Sequence, residues 1–182
     1  MFYTRKGDKG VCDMGSGKRV PKTDAAIAAV GALDELNSLL GLVRNQHLSV
    51  RAKKELLDAQ EKLFIIQAQI AVIMMGDGYK APPLSKDAVQ KLETIVDALE
   101  REVKPGKHFI IPGSCESAAW LDYARAIARR TELSVLMFNG KSKKKLNLLV
   151  LAYLNRLSSL LYALARAEAK RAGKKEAHPS YK

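Results

Sequence analysis

Residues 145–172 read KLNLLVLAYLNRLSSLLYALARAEAKRA, an unbroken run without proline or glycine. At 100° per residue Leu146, Leu149, Tyr153, Leu157, Leu160 and Leu164 fall on one face, the period of an amphipathic helix. The opposite face carries Leu148, Leu151 and Tyr162 beside Asn155, Ser159 and Arg166. A helix apolar on both sides must bury both, and a small bundle has one core. The segment therefore predicts helix-on-helix packing and an oligomer, with the polar members of the second face near a subunit contact.

Upstream, SCESAAWLDYARAIARRTELSV at 114–135 predicts a fourth helix from a Ser114 cap to about Phe138, broken by Asn139–Gly140 and the KSKKK run. Thr23 or Asp24 caps a first helix through Ile27, Val30, Leu33, Leu36, Leu40 and Val43. A second covers about 50–75 and stops at Gly76, and Ser85 caps a third through Val89, Leu92, Val96, Leu99 and Val103. No strand alternation is visible. The expected fold is all-α: one domain over 1–182, with a Gly- and Lys-rich loop at 1–22, a five-helix bundle at 23–172 and a polar, flexible tail at 173–182.

Composition narrows the partners. Of 182 residues 47% are hydrophobic, enough for a core, and Lys+Arg 31 against Asp+Glu 19 gives a formal charge of +12, which favours anionic ligands. Cys12 and Cys115 form no disulfide framework or zinc motif, so a reducing, cytoplasmic setting is expected. The start MFYTRKGDKG has no signal-peptide core, and polar Gln67, Gln69, Asn155 and Arg156 interrupt the apolar runs, so no bilayer span is expected. His47, His108 and His178 lack ligand spacing, which argues against a protein-only metal site.

Three places could carry chemistry. Asp122, Arg125, Arg129 and Glu132 form one helical stripe bordering an apolar arc. Arginines there suit bidentate phosphate or carboxylate binding, although an ordinary salt-bridge ladder has the same spacing. KGDKGVCDMGSGKRVPK, preceded by Arg5, mixes Gly7, Gly10, Gly15 and Gly17 with Lys6, Lys9, Lys18, Arg19 and Lys22. It reads equally as a phosphate cradle and as a basic, flexible terminus, and it is not a Walker A loop. Asp34 and Asn37 share a face with Gly41, an ordinary polar flank, and Phe109 in KHFIIPG reads as a loop or core anchor.

YTRKGDKG, GSGKRVPKTD, VGALDELNSLLG, FIIPGS, ARAIARRTE and YLNRLSSLLYALAR occur in this order, and together they resemble the PduO-type ATP:cob(I)alamin adenosyltransferases. The chain departs from that pattern at Cys12-Asp13-Met14, Ser114 and Asp122. The resemblance implies a homotrimer of five-helix bundles with active sites between subunits. The implied reaction transfers the 5′-deoxyadenosyl group of the co-substrate ATP to the substrate cob(I)alamin, with Mg²⁺. It implies ATP and phosphate contacts from Thr4, Arg5, Gly7, Asp8, Lys9, Gly10, Lys18 and Lys22. Arg129 and Glu132 would lie at the triphosphate and Mg²⁺, Asn155 and Arg156 would complete the nucleotide site, and Arg125 would pair with Asp34 across the interface. Phe109 would cover the lower face of cobalt with a ring that cannot coordinate. A cobalamin reductase and an adenosylcobalamin-dependent enzyme are the implied protein partners. The competing readings are a nucleotide-binding regulatory protein without turnover and a nucleic-acid-binding module; aromatics at 6% and the absence of a stacking module argue against the second.

Overall fold

The computed structural model describes residues 3, 5–13, 17, 19–76, 78–106 and 108–181. Five helices carry the chain: α1 (Ala25–Arg44), α2 (Val50–Met75), α3 (Asp87–Val103), α4 (Glu116–Lys141) and α5 (Leu148–Arg171). Their starts follow side-chain chemistry. Asp24 accepts from Ala26 N at 2.8 Å, Ser49 from Ala52 N at 3.2 Å and Asn147 from Leu149 N at 2.9 Å. Each bond satisfies an amide that the first helical turn leaves unpaired.

The expected boundaries need three corrections. Ser85 precedes α3, whose N-cap is Lys86, although its hydroxyl still accepts from Asp87 N at 3.3 Å. Cys115 rather than Ser114 is the N-cap of α4. Helix α4 continues through Asn139–Gly140 to Lys141 because the following loop closes its end. Lys145 Nζ donates to the carbonyls of Asn139 at 2.7 Å and Gly140 at 3.0 Å, and Leu146 N donates to Asn139 Oδ1 at 2.8 Å. A cation on the last carbonyls stabilises a helix C-terminus.

The N-terminal loop also holds strands that the sequence pattern conceals. Strands β1 (Val11–Asp13) and β2 (Arg19–Pro21) pair antiparallel, Cys12 opposite Val20. Three residues are too few to show a two-residue period. Among the described residues these strands touch each other and no helix.

Helix α5 is the axis of the bundle. It packs against α3 and α4 and touches α2, while α1 joins α4 to α2. Tyr153, Leu154, Leu157, Leu160, Leu161 and Leu164 are all buried, so three neighbours rather than a second copy account for most of its apolar circumference. Leu148, Asn155, Ser159 and Tyr162 remain exposed, and Arg166 is buried. Helices α1 and α5 are also long and apolar enough to cross a membrane, which the interrupted sequence did not predict. Of those apolar windows 39% and 50% are buried inside the bundle, as befits core helices, and α5 carries Arg156, Arg166 and Glu168.

Candidate active site

Helices α3 and α4 flank α5 without touching each other among the described residues, and that gap makes a groove of about 340 Å³. Its floor is Ser159 and Tyr162 of α5, with Glu100 of α3 on one wall and Arg125 and Arg129 of α4 on the other. Arg129 also lines an adjoining cleft with Glu132 and Asn155. The stripe is thus a functional-looking wall in part and a salt-bridge ladder in part. Arg129 is exposed and has no hydrogen bond or ion pair among the described residues. Arg130, the neighbour that the stripe excludes, is tied to Glu35 of α1 at 2.6 and 2.7 Å.

The cleft beside Arg129 is ordered by a relay. Asn155 Nδ2 donates to Glu132 Oε1 at 2.9 Å, Arg156 Nη1 donates to Asn155 Oδ1 at 2.7 Å, and Arg156 Nε donates to Glu93 at 2.9 Å. One oxygen of Glu132 is therefore engaged, and the carboxylate is held in a fixed direction by a neutral amide.

The Asp34–Arg125 pair does not form within one chain. Asp34 is exposed and unpaired among the described residues. Arg125 Nε is buried without a hydrogen-bond partner, with the Asp122 carboxylate 3.9 Å away on the same helix.

The described loop residues build a turn of their own. Gly10 N donates to Gly7 O at 3.2 Å and Lys22 N to Gly10 O at 2.8 Å, forming a turn over Gly7, Asp8, Lys9 and Gly10. Gly10 has φ +74, a left-handed conformation that side chains resist. A Cβ on Gly7 would lie 3.2 Å from Lys22 Nζ, so the glycine lets the lysine close over the turn. Arg5 stacks on Tyr3, 5.3 Å from the ring centroid. Thr4 and Lys18 lie outside the described residues.

Phe109 is no core anchor: it is 79% exposed. Its carbonyl accepts from His178 Nδ1 at 2.8 Å, and Ile111 N donates to Ala177 O at 2.8 Å. The tail expected to be flexible is therefore bound to the Phe109 loop. At its root Glu176 meets Arg166 Nη1 at 2.9 Å, and Arg166 Nη2 meets Asp122 at 2.5 Å. Arg166 and Asp122 are only 3% and 4% exposed. Burial lifts the Glu176 carboxyl above its ordinary range, an effect that Arg166 opposes, Asp122 reinforces and His178 opposes. Asp122, Arg166, Glu176 and His178 are the residues that sequence reasoning did not assign together. Asp122 and Arg166 were visible only as members of two separate helical faces.

A family model described as cobalamin adenosyltransferase matches residues 2–168. The chain belongs to the cobalamin adenosyltransferase family. Among other members, the corrinoid adenosyltransferase PduO of Salmonella typhimurium is 36% identical over 167 residues, covering 92% of this chain and 49% of its own. The chain thus spans about half the length of that relative. A corrinoid adenosyltransferase of Bacillus subtilis is 35% identical over 176 residues, covering 94% of this chain and 88% of its own. The fold is shared with a variant PduO-type ATP:corrinoid adenosyltransferase from Lactobacillus reuteri complexed with cobalamin and ATP. That match has a TM-score of 0.90 at 27% identity and covers 99% of this chain and 97% of the other. A second variant of the Lactobacillus reuteri protein, also complexed with cobalamin and ATP, superposes with a TM-score of 0.91.

Proposed function

We propose that this member of the family transfers the 5′-deoxyadenosyl group of ATP to the cobalt of cob(I)alamin, giving adenosylcobalamin and triphosphate. The observation that carries the reading is Arg129, a guanidinium without a partner among the described residues where two clefts meet, lining one of them with the aligned Glu132–Asn155 pair. The lone pair of Co(I) attacks C5′, the C5′–O bond breaks, and its electrons leave with triphosphate. Cob(I)alamin is already a strong nucleophile, so the protein has to align the reactants and neutralise the leaving group.

Arg129 would neutralise that leaving group together with Arg5, Lys9, Lys18 and Lys22, while the turn of Gly7, Asp8 and Gly10, closed by its own Gly10 N to Gly7 O bond, would curl round the phosphates with Thr4 beside it. Glu132 is one fixed carboxylate without a protein cage around it, and among the described residues no cluster of three or more His, Cys, Asp or Glu could hold a metal. That donor set fits a Mg²⁺ shared with phosphate oxygens, and Glu132 would hold it. Bound there, Mg²⁺ would neutralise triphosphate charge. Asn155 orients Glu132, and Arg156 orients Asn155.

Among the described residues the strands of the loop pair with each other and contact no helix, and Asp34 and Arg125 do not pair with one another. Both observations support a homotrimer in which one subunit's loop closes the next subunit's cleft and Arg125 pairs with Asp34 across the contact. The unpaired Cys12 and Cys115 suit a reducing cytoplasm, where a reductase supplies the low-valent substrate and an adenosylcobalamin-dependent enzyme takes the product.

Phe109 projects from its loop, in keeping with an apolar ring beneath the corrin. Keeping a lower ligand off cobalt stabilises the orbital that accepts the electron from the reductant. Phe109→Ala is expected to bind ATP normally and to lose about tenfold in conversion that starts from cob(II)alamin and a reductant. A loss of ATP affinity instead would make the residue structural.

The reaction itself is tested anaerobically with purified protein, Mg-ATP and chemically reduced cob(I)alamin. ATP-dependent loss of the cob(I)alamin spectrum and growth of a light-sensitive adenosyl product are expected. Bound ATP without conversion would favour a regulatory nucleotide-binding protein. Neither binding nor conversion would turn attention to nucleic acid, through a gel shift that weakens steeply with salt.

A further inference from the structure

The loop between α3 and α4 supplies Phe109 with little support of its own. Among the described residues, 104–115 form neither helix nor strand, and Gly113 turns with φ +104. Apart from the bonds that end α3 and begin α4, its hydrogen bonds there are the two from the tail, Ile111 N to Ala177 O and His178 Nδ1 to Phe109 O, both 2.8 Å. The rings of His108 and His178 add an edge-to-face contact at 5.4 Å. A side chain 79% exposed on such a loop takes its direction from whatever fixes its backbone.

We infer that residues 173–178 are a strap that positions Phe109, that His178 is its grip and that Glu176 is its latch. The inference rests on Phe109 lying beneath the corrin, as proposed above. The latch closes on Arg166, a guanidinium 3% exposed that bonds Asp122 of α4 at the same time. Asp122 lies one turn before Arg125 and two turns before Arg129. One buried cation therefore references the Phe109 loop to the helix bearing the leaving-group arginine. Lys174 N, bonded to Ala169 O at 3.0 Å, fixes the strap where it leaves α5. Glu176 and His178 are positioning residues: they touch Arg166 and the Phe109 carbonyl, and act on the substrate through Phe109. The carboxylate's burial disfavours its charge, so the contact itself is better removed by Glu176→Ala than by neutralising it.

The test uses the full chain with Glu176→Ala, His178→Ala and the double substitution, all in the tail and so sparing the buried pair. With ATP present, the fraction of bound cob(II)alamin in the four-coordinate form is read by visible absorbance or electron paramagnetic resonance. It is expected to fall about tenfold in the double variant, the scale of a misplaced positioning group. The KM for ATP and the transfer rate from chemically reduced cob(I)alamin are expected to stay at wild-type values. Adding the double substitution to Phe109→Ala is expected to cost nothing further, since its effect runs through that ring.

An unchanged four-coordinate fraction would overturn the inference. So would losses that add in full to those of Phe109→Ala, or a parallel fall in ATP affinity and cob(I)alamin transfer. A wild-type chain that fails to convert cob(I)alamin would remove the proposed function and the strap's role together. A wild-type chain that converts it with an indifferent strap would remove only the strap.

Discussion

Arg129→Ala is expected to slow adenosyl transfer about 10²–10³-fold, the cost of removing one preorganised donor from a developing negative charge. The size follows from the side chain's isolation. Among the described residues Arg129 has no intramolecular partner to leave behind, so its loss opens no buried vacancy and leaves no acid unpaired. Folding and assembly should be close to wild type, and the deficit should lie mainly in kcat, because the leaving group gains charge only as the C5′–O bond breaks. Arg129→Lys should recover part of the charge and little of the planar fork. Steady-state kinetics with reduced cob(I)alamin, beside sedimentation of the same sample, measures both. Dissociation of the assembly with normal turnover per assembled site would reassign Arg129 to the subunit contact.

The second large effect is on stability and belongs to Arg166. Arg166→Leu is expected to destabilise the fold by about 3–5 kcal/mol, because it strands the carboxylate of Asp122 without its close partner in the interior. Asp122 is 4% exposed, and its next nearest cation, Arg125 Nε, is 3.9 Å away without a hydrogen bond. The same change removes the guanidinium stacked 5.0 Å from the Tyr162 ring and frees Glu176 of the tail. Urea unfolding should show the loss as a lower midpoint. Asp122→Asn in the Arg166→Leu background should return part of it, since the charge left behind is the main cost. A single-variant loss below about 1 kcal/mol would mean that Arg125 or water rescues Asp122, as at an exposed pair.

The bundle was readable where local chemistry and tertiary packing agree. The apolar period and Gly76 mark a helix over about 50–75, and the observed helix is Val50–Met75. The pattern fell short where the decisive partner is distant in the chain. The hairpin strands are three residues long and carry no period to detect. Arg166 was placed on an outer face because the helical wheel grants α5 two sides, whereas three helices surround it. Glu176 is a single acid in GKKEAHPSYK, and nothing in that string shows that a buried arginine awaits it. Arg125, Arg129 and Glu132 were legible as a stripe, but spacing could not tell which of the arginines is tied down. In the structure it is Arg130 that is paired across helices and Arg129 that is free among the described residues.

The hairpin strands, which among the described residues contact each other and no helix, have a genetic consequence. If each site is assembled from one chain's glycine turn and another chain's arginine wall, a lesion in either half of the same chain spoils a different site. Chains broken at Lys22 and chains broken at Arg129 would then rebuild some intact sites when they are made together, and two inactive alleles could complement one another in a single cell.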